Sequence, residues 1–490
     1  MKKLVLPVFI AVIGIVMAFS EKEKDPNPKL NVLFIAVDDL RPTLGCYGDS
    51  LAKTANMDML ASKGTIFNMA YCQQAVCNAS RASIMTGLRP DQINVTNLVN
   101  HFREKIPDVV TLPQVFIKNG YEAVAIGKIY HGSAKAQDPM SWTQPSILNV
   151  SKKGDEYVLP KNKTGKKAFS YESADVGDEA YEDGQIANAA IKRLSEFKNT
   201  GKPFFLAVGF KKPHLPFSAP KKYWDLYDPK MFGPISNKER PLNAPDIAFH
   251  NSQELRGYMD IPKKDKIDRE KEVSLWHGYY ACVSYVDAQL GKIVQSLKKL
   301  GLDKNTVIVL WGDHGYHLGE QGLWCKSTNF ELDDRIPLII YDPSKKFKEG
   351  TSSNSMVEAV DIYPTLLDLC GLRPEGKLSG QSLKPLLSDP SIELKKAAVS
   401  QFIRPYEGLF AKPVTHMGYS VRTRDWRCTA WFNSKNDSID FLELYNMRDN
   451  GIEKINLAGI RDYKNTEAHL LRLLKAYKNQ EYEQVADIRF

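Results

Sequence analysis

The chain has 490 residues, 43% of them apolar and 25% charged, and a formal net charge of +8. These values exclude a disordered chain and allow two or three domains, or one large α/β unit with a smaller companion. The mild basicity has no dense Lys/Arg block behind it, so an anionic substrate accounts for it, and nucleic acid is not expected as a partner.

In chain order, Lys2 and Lys3 precede an apolar run over 4–19, and Ala18-Phe19-Ser20 supplies small residues before a charged stretch. This pattern predicts an export signal over 1–20, cleaved to leave a periplasmic or secreted protein. The run is short for a membrane anchor, no cysteine follows it to carry a lipid, and no later run is apolar enough to span a bilayer. No stable membrane insertion is therefore expected.

Residues 31–37, NVLFIAV, form a continuous apolar run that ends in Asp38-Asp39. Similar runs recur at 121–127, 204–210, 306–312 and 337–342, with helical patterns at 56–63, 185–197 and 272–300 between them. Strands that alternate with helices predict an α/β protein with a large, mainly parallel sheet sandwiched by helices. Ligands of such sheets bind beyond the carboxyl ends of the strands. Asp38-Asp39, Lys128 to His131, Lys212 to His214 and Asp313-His314 all fall there. Residues 133–180 and 229–270 are polar and weakly periodic, and read as loops near those ends, where specificity resides. After about residue 395 the texture changes to short antiparallel strands and a helix over 463–480. The expected organisation is thus a signal peptide (1–20), a catalytic domain (25–395) and a C-terminal α+β subdomain (396–490) that carries an antiparallel sheet.

Seven cysteines, at 46, 72, 77, 282, 325, 370 and 428, are too sparse for a disulfide scaffold, and their odd number leaves one unpaired. Cys77 is the interesting one. Residues 79–86 can form a helix closed by Gly87, which places Cys77 just outside an N-terminus that favours negative charge. Arg81 lies one turn on, facing the same space. The adjacent carboxylates Asp38 and Asp39 repel unless a cation sits between them, and Asp313 adds a third at a neighbouring strand end. Three carboxylates suit a hard divalent ion such as Ca²⁺ or Mg²⁺. A thiolate suits such an ion poorly, and the mismatch disappears if the sulfur is replaced by oxygen.

The string CNASRASIMTG (77–87) resembles the signature of the type I, formylglycine-dependent sulfatases of the alkaline phosphatase superfamily, Cys-x-(Pro/Ala)-x-Arg followed by Ser-x-x-Thr-Gly. Ala79 stands where proline is commoner. NVLFIAVDDLRPTLGCYGD, GYEAVAIGKIYHG, FFLAVGFKKPHLPF, GDHGYHLGEQGLWCK and HMGYSVRTRDWRCTAW extend the resemblance over nearly the whole mature chain, in the branch of iduronate-2-sulfatase and its bacterial relatives. The resemblance implies that Cys77 is oxidised to Cα-formylglycine by a formylglycine-generating or anaerobic sulfatase-maturating enzyme, and that its hydrate is the nucleophile. It implies one Ca²⁺, held by Asp38, Asp39, residue 77, Asp313 and His314, the last being Asn in most sulfatases. Arg81, Lys128, His131, His214 and Lys326 become the basic residues of the pocket. Asp313 would help activate the attacking hydroxyl, His214 or Lys326 would protonate the leaving sugar oxygen, and His131 would deprotonate the second hydroxyl to expel sulfate. The expected substrate is a sulfated saccharide, with the 2-O-sulfate of a uronic acid in glycosaminoglycan or algal polysaccharide fragments favoured. Two alternatives are a phosphonate or phosphodiester hydrolase of the same superfamily and a glycan-binding protein with a dead site.

Overall fold

The computed structural model describes residues 29–150, 156–163, 168–344, 346–448 and 451–479. The expected export signal lies outside them.

Asn31–Val37 is a strand buried along its whole length. Its side chains alternate between two cores. Leu33, Ile35 and Val37 enter one with the helices Ala55–Ala61, Glu182–Thr200 and Arg269–Lys299, while Val32, Phe34 and Ala36 enter the other with Cys77–Thr86, Leu112–Lys118 and Ile362–Leu369. Burial on both faces explains why the run is apolar throughout instead of alternating with polar residues. The strand pairs in parallel with Phe204–Phe210 on one side and Thr306–Gly312 on the other. Glu122–Gly127 continues the parallel order beyond Phe204–Phe210. On the opposite flank, Leu338–Tyr341 runs antiparallel to both Thr306–Gly312 and Thr65–Tyr71, and Thr351–Glu358 pairs in parallel with Thr65–Tyr71. The result is an eight-stranded mixed sheet between two helical layers.

The strands expected from apolar runs are present, and three others in the same sheet, Thr65–Tyr71, Arg335–Ile336 and Thr351–Glu358, were not among them. Thr351–Glu358 is TSSNSMVE, with a register break between Ser353 and Met356. Its strand character comes from the unfilled edge of Thr65–Tyr71, which any extended backbone can pair with. The segments expected as loops over 133–180 and 229–270 are mostly irregular. They also hold a short strand, Tyr171–Ala174, and a one-turn helix, Gln253–Arg256.

A second sheet of four antiparallel strands follows: Ala397–Arg404, His416–Thr423, Trp426–Asn433 and Ile439–Asn446. The helix Lys464–Lys478 covers it with Leu470, Leu473, Leu474 and Tyr477. No helix among the described residues is long and apolar enough to cross a membrane. All seven cysteines are free thiols.

Candidate active site and metal centre

Register brings the acids together. Val37 is opposite Gly312 in the parallel pair, so the residues that follow, Asp38 and Asp313, leave the sheet side by side. Asp313 N donates to Val37 O at 3.3 Å, and Asp39 N donates to Asp313 Oδ1 at 3.0 Å. Asp39 holds a left-handed backbone (φ 59°), a conformation for which Asp is one of the more tolerant residues. Lys128 follows Gly127 at the end of its strand. A side chain on Gly209 would collide with the Lys128 carbonyl at 2.1 Å, so the close approach that sets Lys128 in place needs glycine there.

The helix that carries the cysteine begins at Cys77 itself, with extended Val76 as its cap, so Cys77 is the first helical residue and not a residue outside the N-terminus. The extra turn forms because Ser80 N donates to Val76 O at 3.0 Å, and Ser80 Oγ donates to Asp313 O at 2.5 Å, tying the turn to the neighbouring strand end. Cys77 Sγ lies 3.3 Å from His314 Nε2, 3.5 Å from Asp38 Oδ1 and 3.7 Å from Lys128 Nζ. Burial, reinforced by Asp38, pushes the Cys77 thiol well up. A buried neutral thiol is neither a strong nucleophile nor a ligand for a hard cation.

The remaining groups are oriented around this point. Arg81 is fully buried. Its Nε donates to Asp313 Oδ2 at 2.8 Å and its Nη2 to Asp38 Oδ1 at 3.1 Å, while Nη1 donates to the carbonyls of Lys128 and Ile129. Its charge therefore frames the acids from behind instead of facing the cavity. Lys128 Nζ donates to Asp38 Oδ2 at 2.5 Å. Burial alone would raise the Asp38 carboxyl, but Lys128 and Arg81 hold it well below the usual range. Asp39 is different: burial raises it, and Lys326, at 2.9 Å from Oδ2, offsets only part of that.

The donor set fits a hard divalent cation. Asp39 Oδ1 is buried and accepts no hydrogen bond. Ligand atoms of Asp38, Cys77, Asp313 and His314 lie within 4.8 Å of one another. His314 Nδ1 faces Gly315 O at 3.0 Å, so Nδ1 carries the proton and the Nε2 lone pair faces the cluster. With sulfur replaced by oxygen at position 77, the set becomes oxygens and one imidazole.

Lys326 follows the short strand Trp324–Cys325 and stands between two left-handed residues, Cys325 (φ 73°) and Ser327 (φ 90°). Such backbones cost on the order of 1–3 kcal/mol each and persist where the surroundings enforce them. His214 Nδ1 donates to Leu215 O at 2.6 Å. His214, Lys128, His131 and Asp38 line a cavity of about 460 Å³ that extends to Lys211 and Lys212, a volume typical of small-molecule pockets. Burial, with Lys128 adding to it, lowers His131 to about 3, which keeps its imidazole neutral.

All ten residues singled out in the sequence converge on this place. One residue that sequence reasoning missed joins them: Glu254 Oε1 accepts from Lys326 Nζ at 2.8 Å and lies 3.2 Å from His214 Nε2. It sits in a polar stretch with no periodicity, so no local signal marks it.

The Sulfatase family model matches residues 30–372, and the model for N-sulphoglucosamine sulphohydrolase, C-terminal, matches residues 319–480. The chain belongs to the sulfatase family and is a sulfuric ester hydrolase with the alkaline-phosphatase-like fold. Iduronate 2-sulfatase of Mus musculus is 33% identical over 466 residues, covering 82% of this chain and 84% of that protein. Among solved structures, a protein in complex with its substrate D-glucosamine-2-N,6-O-disulfate shares the fold with a TM-score of 0.74 at 24% identity, over 94% of this chain and all of the other. The phosphonate monoester hydrolase of Silicibacter pomeroyi also reaches 0.74, at 19% identity, over 94% of this chain and 97% of its own. Fold alone thus does not separate sulfur from phosphorus chemistry; the sequence similarity does.

Proposed function

We propose that this protein is an exported, Ca²⁺-dependent sulfatase that removes the 2-O-sulfate of a uronic acid in glycosaminoglycan or algal polysaccharide fragments, using a formylglycine made from Cys77 by a maturating enzyme. The observation that carries the reading is the convergence of Asp38, Asp313, His314 and Cys77, with Asp39 beside His314 and Lys326, next to a cavity lined by Asp38, Lys128, His131 and His214. The similarity to iduronate 2-sulfatase supports the choice of sugar. The catalytic part is assigned to 25–395 and the C-terminal part to 396–490, next to the start of the second sheet at Ala397.

Asp38, Asp39, Asp313, His314 and residue 77 would hold the cation, which supplies Lewis-acid stabilisation of charge on the sulfuryl oxygens. Converted to its hydrate, residue 77 offers one hydroxyl to attack sulfur and a second for release. Asp38 makes the direct carboxylate contact with residue 77, through Oδ1, and is engaged by Arg81 and Lys128, while Asp313 is engaged by Arg81 and by two backbone N–H groups. A neighbouring carboxylate, Asp313 or Asp38, would take the first proton. Lys128 and Lys326 hold negative charge on the ester. His214 or Lys326 gives a proton to the departing sugar oxygen, and general acids of this kind contribute about 10²–10⁴-fold. Neutral His131 accepts the proton of the second hydroxyl as sulfate departs.

The test is peptide mass across residues 77–81 in protein made with a maturating enzyme, followed by sulfate release from a panel of saccharide sulfates. A formyl group at 77 and fastest release from 2-O-sulfated uronate disaccharides are expected. An unconverted thiol in protein from its native host, or release confined to 6-O-sulfated hexosamines, would overturn the reading or its choice of sugar respectively.

A further inference from the structure

A carboxylate beside the cations of a sulfate pocket opposes the incoming ester, yet Glu254 occupies that place. A single oxygen, Glu254 Oε1, meets both Lys326 Nζ, at 2.8 Å, and His214 Nε2, at 3.2 Å. Lys326 reaches on to Asp39 Oδ2 at 2.9 Å, and the other ring nitrogen of His214 is fixed by Leu215 O at 2.6 Å. Lys326 and, in its imidazolium form, His214 share that acceptor and are held side by side; without the anion between them the two cations would repel.

The backbone that bears Glu254 is tied to the backbone that bears Lys326. Ser252, left-handed at φ 58°, begins the turn Gln253–Arg256. Its Oγ accepts from Trp324 N at 3.0 Å, two residues before Lys326, and its own N–H donates to His250 Nδ1 at 2.9 Å. Glu254 is therefore fixed to Lys326 through both side chain and main chain, and His214, from a different loop, is gathered to the same point.

We propose that Glu254 is a positioning residue that holds His214 and Lys326 together on the leaving-group side of the bound ester. The inference rests on the functional reading above. As the bond between sulfur and the sugar oxygen breaks, its electron pair stays on that oxygen, which takes a proton from one of the two gathered donors while sulfur remains bonded to the oxygen of residue 77. A sugar alkoxide is a poor leaving group and needs that proton. A nitrophenolate departs without it.

The two leaving groups provide the test. Formylglycine-bearing wild type, Glu254→Gln and Glu254→Asp are compared on 4-nitrophenyl sulfate and on whichever saccharide sulfate the wild type turns over fastest. Glu254→Gln keeps the shape and an acceptor oxygen but loses the charge. Its kcat on the saccharide sulfate is expected to fall about 10–100-fold, a part of the full general-acid contribution, with kcat on the aryl sulfate and both KM values within about threefold. Glu254→Asp, which restores the charge, recovers part of the loss, and unchanged thermal midpoints exclude unfolding. Equal losses on both esters, or none on either, overturn the inference. Wild-type enzyme that frees sulfate from neither ester overturns the functional reading and this one with it.

Discussion

Glu331 and Asp39 are both buried carboxylates facing cationic side chains, but their surroundings end differently. Glu331, at the seam between the two sheets, accepts from Arg422 Nε at 2.8 Å, Arg427 Nη2 at 2.7 Å and Tyr71 OH at 2.9 Å. Burial would raise it, but Arg422 and Arg427 bring it down to about 2. Asp39, at the strand ends, keeps one buried oxygen without a hydrogen bond and is pushed up. Buried polar groups in proteins are nearly always paired. A closed set such as that of Glu331 joins parts of the fold, and an open one such as that of Asp39 leaves an oxygen able to bind a ligand.

The contrast can be broken at either end. The largest effect belongs to the open site. Cys77→Ser places a hydroxyl where the hydrate would be, but lacks the second hydroxyl that releases sulfate, so steady-state sulfate release should fall by at least ~10³-fold. The thermal midpoint should stay near that of the parent, and a sulfated serine peptide should be visible by mass. Removal of divalent ions with EDTA should abolish most turnover, and Ca²⁺ should restore it and raise the thermal midpoint in a concentration-dependent way. Mg²⁺ restoring activity at equal occupancy would remove calcium from the reading.

At the closed end, Glu331→Gln leaves Arg422 and Arg427 short of an anion. Loss of one partner from a buried ionic set costs about 3–5 kcal/mol, measurable as a lower denaturation midpoint, while KM in the surviving folded protein should hold. His317 sharpens the comparison through pH. It is buried against Asp333 Oδ1 at 2.6 Å, which outweighs burial and raises it to about 9. Its stabilisation, on the order of 3 kcal/mol, is complete below its unfolded value near 6.5 and lost as pH rises through 9. Glu331 works in the opposite direction: its contribution is present above about 4.5 and lost as pH falls toward 2. Unfolding free energy measured across pH 3–10 should fall on both sides, and His317→Gln should flatten the alkaline limb. The smallest effect is a control: Lys118→Ala breaks a pair with Glu375 whose side chains are 50% and 45% exposed, and should change stability by less than ~1 kcal/mol.

The parts legible in the sequence were those with a local signature. Apolar runs that end in Asp38-Asp39 and Asp313-His314 revealed strands buried on both faces and the end at which the acids stand. CNASRASIMTG revealed a helix over 79–86 closed by Gly87, though not that it starts at Cys77. Thr351–Glu358 was illegible because its residues are mostly polar and its strand character was supplied by a neighbour's free edge. The full burial of Arg81 behind the acids was illegible too, since spacing places it near Cys77 but does not say which way its charge is turned.

By itself the sequence determined the central parallel strands and the family, because each depends on side chains close together in the chain. The tertiary structure alone decided the use of Glu254, which is 72 residues from Lys326 and still shares an oxygen contact with it. It also decided which carboxylates were paired and which were left open. Both are matters of long-range approach in a low-dielectric interior, where a charge is defined by its neighbours in space, and those neighbours come from strands and loops that chain order does not bring together.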